Sequence, residues 1–129
     1  MMQFVDYELA MLLKEKGYNE GCDAYYHITD NEVDSMHSFE VTGDNSFDFF
    51  NEINQHRVGA PRIAMVIDWL FYKHGIHVAT SCGLNNTWRY VIMHTGDKYP
   101  EYPTITVKGL KSRKEAYCDG IKYVLKEMI

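Results

Sequence analysis

The sequence predicts an α+β fold: a small antiparallel sheet of three to four strands packed against two or three helices, in the order α-β-(short α)-α-β-β-(β)-α. Three stretches carry that reading. Ala60 to Gly75 has a helical period with both ends marked, Ile76 to His94 alternates about a turn, and Ser112 to Met128 opens on a capping signal and keeps one apolar face.

Taken in order, Phe4 to Lys16 places Val5, Leu9, Leu12 and Leu13 at helical spacing, and Gly17 supplies the stop. Asp6 and Glu8 at its start and Lys14 and Lys16 at its end suit the helix dipole. Cys22 to Ile28 alternates as a strand, with Cys22, Ala24, Tyr26 and Ile28 inward and Tyr25 and His27 outward. Thr29 to Ser46 is polar and reads as a loop with a short strand around Phe39 to Thr42. Phe47 to Ile53 is expected to form a short helix capped by Asn45 or Ser46.

The central helix has Pro61 at its first position, where the missing N–H has no intrahelical partner, and Gly75 after its end, where a left-handed conformation costs glycine little. Ile63, Val66, Ile67, Leu70, Phe71 and His74 share the face expected to be core. A second row, Met65, Trp69 and Tyr72, leaves the helix apolar on more than one side. Phe47, Phe50 and Ile53 are the intrachain candidates to cover that row; uncovered, it is a self-complementary patch and the candidate partner-binding site.

Ile76 to Cys82 and Trp88 to His94 form a hairpin about Gly83-Leu84-Asn85-Asn86. Thr104 to Val107 is β-branched enough for a short edge strand beside it. In the last helix Ser112 and Glu115 make a capping box, and Tyr117, Cys118, Ile121, Val124, Leu125 and Met128 line one face.

The bulk composition suits one domain over residues 1–129, with 30–56 as an insertion or partly ordered segment. At 46% hydrophobic and 14% aromatic the chain is too apolar for native disorder, and its uncharged runs are too short for a membrane span. Thirteen Lys and Arg against 18 Asp and Glu leave a charge of -5, which repels a polyanion unless cations cluster. The best cluster, Lys108, Lys111, Arg113 and Lys114, is expected to cap and solvate the loop before the last helix. Cys22, Cys82 and Cys118 have no CxxC spacing and sit in apolar contexts, so reduced, buried thiols in a cytoplasmic protein are expected.

Chemical motifs are weak. His74, His77 and Cys82 straddle a helix end and miss metal-site geometry. Asp30, Glu32 and Asp34 resemble the opening of a calcium loop, but Ser35 and Val41 stand where glycine and glutamate are needed. Cys82 with His94 is the one Cys–His pair a hairpin would bring close. Trp88, Tyr90, Tyr25, Tyr26, Tyr99, Tyr102 and Trp69 include strand aromatics that elsewhere stack bases, yet only Arg89 and Lys98 lie nearby. His74 is expected at a helix C-terminus where the dipole favours its cation.

Gly59-Ala60-Pro61 running into Met65 to Leu70, Lys73 to His77, Trp88-Arg89-Tyr90, Ser112 to Tyr117, and Phe4 to Tyr26 together resemble a group of small uncharacterised proteins encoded in phages and prophages of gut bacteria. The segment from Asp30 to His56 departs from the shorter pattern of that group. The resemblance implies a shared fold and a mobile-element context, and it carries no catalytic residue over. The expected function is that of a non-enzymatic accessory protein without cofactor or metal. It would act by protein–protein interaction, with itself as a homodimer or with a host or phage protein. The alternatives are a small nucleic-acid-associated module, for which the charge is unfavourable, and an enzyme using His94 or Cys82.

Overall fold

The computed structural model describes residues 4–18, 20, 22–27, 39–41, 57–95 and 104–129, with the backbone alone at 39–41 and 57. The class is α+β, and the chain divides into two compact units, Phe4–Arg62 and Ile63–Ile129. Each has its own three-stranded antiparallel sheet. The proposed helix Phe47–Ile53, its cover over the central helix, and nearly all of segment 30–56 lie outside the described residues.

In the first unit, helix α1 spans Tyr7–Glu15 and strands β1 (Ala24–His27), β2 (Phe39–Val41) and β3 (Arg57–Gly59) order as β2-β1-β3. The helix begins three residues later than the apolar row implied, because Asp6 caps it: the carboxylate accepts from the Leu9 N–H at 2.8 Å. Its end is a Schellman turn. Gly17 has φ +86°, its N–H reaches the Lys14 carbonyl at 3.2 Å, and the Tyr18 N–H reaches Leu13 at 2.9 Å. Leu9, Ala10 and Leu13 are buried, and the helix packs on β3.

The short strand around Phe39 is present, whereas β3 was not anticipated: three residues between a polar segment and a proline give no period to read. Tyr25, expected to face outward, pairs with Gly59 on β3 and is 6% exposed. Tyr26 donates its hydroxyl to the Val5 carbonyl at 2.8 Å and remains half-buried. An Arg62–Asp23 ion pair at 2.7 Å closes the unit, with the same guanidinium 4.7 Å from the Phe4 ring centre.

The second unit opens with helix α2, Ile63–His74, two residues inside the position Pro61 suggested. Pro61 instead offers its carbonyl to the Val5 N–H at 3.1 Å, while Arg62 bridges to Phe4, so both belong to extended chain. The stop is as expected: Gly75 has φ +67° and bonds back to Phe71 at 3.0 Å. The buried residues of α2 are Ile63, Val66, Trp69 and Leu70. At 100° per residue their arc is turned toward Trp69 relative to the expected face, and that turn leaves Phe71 40% exposed.

Strands β4 (Ile76–Cys82) and β5 (Trp88–His94) have the expected bounds and pair in continuous register from Ile76–His94 to Cys82–Trp88. Between them Leu84–Asn86 makes one tight turn, with Asn85 and Asn86 at φ 59° and 58°. Asparagine tolerates that region better than other side-chain-bearing residues do. The edge strand β6 runs longer than expected, Ile105–Leu110. Its register on β5 slips between Trp88 and Tyr90, and Gly109 at φ +85° takes up the extra residue.

Helix α3, Arg113–Tyr123, starts at Ser112, whose hydroxyl accepts from the Glu115 N–H at 3.0 Å. Glu115 returns to the N–H of Lys111 at 2.9 Å and not to that of Ser112, one residue earlier than a standard capping box. The helix widens over Val124–Met128, where Ile129 bonds to Val124. It lies on β4 and β5 through Gly120, at which a Cβ would stand 3.1 Å from the Tyr90 ring and from the Val78 methyl. Ile76, Val78, Tyr90 and Ile92 face it and are at most 5% exposed. Ala116, Cys118, Ile121, Val124 and Leu125 complete the core.

Candidate functional site

Burial of one face of the β4-β5-β6 sheet under α3 fixes what the other face presents. Alternation turns the cross-strand pairs His77–Met93, Ala79–Val91 and Ser81–Arg89 outward, with Thr106 beside Val91. His77, Ala79, Ser81, Val91 and Met93 are all half-buried, and Arg89, Thr106 and Lys108 are exposed. The face is apolar at one end and cationic at the other.

The apolar end continues onto α2. The Phe71 ring stands edge-on to His77 at 6.1 Å and to Tyr72 at 5.1 Å, and Tyr72 is 82% exposed. Scattered single apolar residues on a surface are ordinary; adjoining exposed aromatic rings at the edge of a partly exposed sheet face form a patch. At the cationic end, Gly83, Leu84, Thr87, Trp88, Arg89 and Lys108 line an open hollow of about 340 Å³. Arg89 donates Nε to the Ser81 hydroxyl at 2.5 Å, which holds its guanidinium across the strand pair. Arg113, at the start of α3, lies 5.9 Å from the ring centres of both Trp88 and Tyr117.

The row Met65, Trp69 and Tyr72 does not lie on one exposed face. Met65 is half-buried, Tyr72 projects, and Trp69 is 6% exposed with His74 edge-on at 5.0 Å and the Lys73 ammonium 5.7 Å from its ring. Phe71, expected in the core from its spacing, is 40% exposed, whereas Trp69, expected either under a cover from its own chain or in a partner patch, is buried. The missing signal was the orientation of α2, since a helix apolar on several sides has a period but no unique centre.

His74 also differs from expectation. Burial, with the neighbouring Lys73 charge, lowers its pKa from the ordinary histidine value, so the neutral ring is favoured despite its place at a helix end. Its Nε2 is covered and has no hydrogen-bond partner among the described residues.

The proposed Cys82–His94 pair is undone by register. His94 pairs with Ile76 and Cys82 with Trp88, so they occupy opposite ends of the hairpin, roughly 20 Å apart at ~3.3 Å per residue. Cys82 is exposed, contrary to the buried thiol expected, while Cys22 and Cys118 are buried; all three are free. Among the described residues no group of three His, Cys, Asp or Glu side chains could hold a metal ion. Of the strand aromatics, Tyr90 is covered by α3 and its ring is not available for stacking, and Lys98 lies outside the described residues. No helix among the described residues is long and apolar enough to cross a membrane. No protein-family model, curated protein or solved structure was found to match the chain.

Proposed function

We propose that the chain is a cytoplasmic, non-enzymatic protein-binding module, of the accessory kind carried by phages and prophages, and that it binds through the outer face of its second sheet together with Phe71 and Tyr72. The observation that carries this reading is the continuity of exposed Tyr72 and Phe71 with half-buried His77 and Met93, aromatic and apolar side chains that adjoin across a helix end and a strand pair. Aromatic residues at the centre of a patch supply most of the energy of a protein contact, because they remove large apolar area from water at small entropic cost.

A partner of different sequence is favoured over a homodimer. Among the described residues the sheet's outer face carries Arg89 and Lys108 and no carboxylate, so two copies laid with these ends together bring like charge to like charge. A photo-crosslinking residue placed singly at positions 72, 91 and 126 in cells carrying the gene tests the surface. Discrete adducts are expected at 72 and 91 and not at 126, an exposed position beyond α3. Adducts at 126 alone, or at none of the three, would defeat the proposal.

A further inference from the structure

We infer that the partner presents an extended acidic segment, with a carboxylate seated at the Arg89–Lys108 hollow and an apolar side chain about four residues away against Val91, Met93 and Phe71. This rests on the protein-binding reading above and specifies the chemistry of its partner. The spacing follows from the sheet: the Ser81–Arg89 pair lies four residues along β4 from the His77–Met93 pair, about 13 Å at ~3.3 Å per residue. An extended peptide has the same rise, so one side chain reaches the cations while another, four positions on, reaches the apolar end.

The cationic end is prepared for a carboxylate. With Nε engaged by the Ser81 hydroxyl, the two Nη groups of Arg89 are the donors left to take a planar anion in two parallel hydrogen bonds. Among the described residues no carboxylate pairs with Arg89 or Lys108, although the chain as a whole carries -5. The local sign is therefore opposite to the global one. Long polyanions meet the whole field and are repelled, whereas a short acidic segment meets mainly the two cations within a Debye length of about 8–10 Å. The hollow, about 340 Å³, is at the small end of the ~300–1,000 Å³ typical of ligand pockets, and its Leu84 and Trp88 walls fit the methylenes of a Glu side chain.

Random linear dodecapeptides displayed on phage and panned against the purified intact chain test this. Enrichment is expected for peptides pairing Asp or Glu with an aromatic or aliphatic residue four positions away. A synthetic enriched peptide should lose at least tenfold in affinity on Arg89→Glu/Lys108→Glu, about threefold on Arg89→Gln, and several-fold between 50 and 300 mM salt. Unchanged circular dichroism melting of these exposed-site variants separates lost binding from lost fold. Enriched peptides without acidic residues, or acidic ones bound equally by the charge-reversed variant, would overturn the inference and leave the protein-binding reading standing. Absence of any enrichment while crosslinks still form at 72 and 91 would also overturn it alone, as would tighter binding of an oligothymidine probe than of the best peptide. Crosslinks absent together with peptides absent would remove both.

Discussion

Tyr72 and Trp69 are three residues apart on one helix and have opposite fates, one 82% exposed and the other 6%. A charge at Trp69 must be desolvated in an apolar setting, so Trp69→Glu is expected to cost more than ~3 kcal/mol and to unfold the second unit rather than merely detach a partner. Tyr72→Glu is expected to stay within ~0.5 kcal/mol of the parent in urea unfolding, as surface substitutions do. Equal midpoints for the two variants would mean that α2 is turned the other way. Gly120 makes a second residue-scale case. Alanine there gains about 1 kcal/mol of helix propensity, but its methyl meets the Tyr90 ring and the Val78 methyl at 3.1 Å, both in the core and neither able to retreat. Overpacking of ~1–3 kcal/mol wins, and Gly120→Ala should lower the melting temperature. A raised melting temperature would show that α3 stands farther from the sheet. Nothing in the sequence alone singles out Gly120, because the need for it arises only once the helix is laid across β4 and β5.

At the scale of elements, what was legible is what local chemistry fixes. Gly17 and Gly75 stop their helices in the left-handed region, Ser112 caps the last one, and the hairpin strands have the bounds that alternation implied. What was not legible depends on partners distant in sequence. Strand β3 exists because β1 pairs with it, Pro61 lies outside α2 because its carbonyl serves Val5, and Cys82 and His94 separate because the hairpin register is set from Ile76 outward. The end of α2 gives a pH prediction of its own. A histidine whose folded pKa lies below its unfolded value takes its proton more readily when unfolded, so its neutral state supports folding fully above ~6.5 and that support is lost as pH falls from ~6.5 toward the lowered folded value. Stability should therefore decline between neutral and mildly acidic pH, and His74→Phe should flatten the decline in urea titrations. An unchanged slope in the variant would assign the pH dependence elsewhere.

For the whole molecule, the division into Phe4–Arg62 and Ile63–Ile129 assigns the candidate surface to one unit. The second unit has a sheet with α3 on one face, while on the other Phe71 of α2 reaches His77 and the strand side chains are half-buried. Strict alternation from Ile76 to Cys82 sets His77, Ala79 and Ser81 against Ile76, Val78 and Thr80, so half of that surface was readable from the sequence. Its cationic end was not, since the slip at Gly109 decides where Lys108 stands beside Arg89. We propose that this face, and not the helix row of Met65, Trp69 and Tyr72, is where the chain meets its partner. Amide chemical-shift mapping of the labelled chain titrated with an enriched acidic peptide tests it most directly. Shifts confined to residues around 71–72, 77–81, 89–93 and 106–108 are the expected result; shifts centred on Met65 and Trp69, on the exposed side of α3, or within Phe4–Arg62 would contradict it.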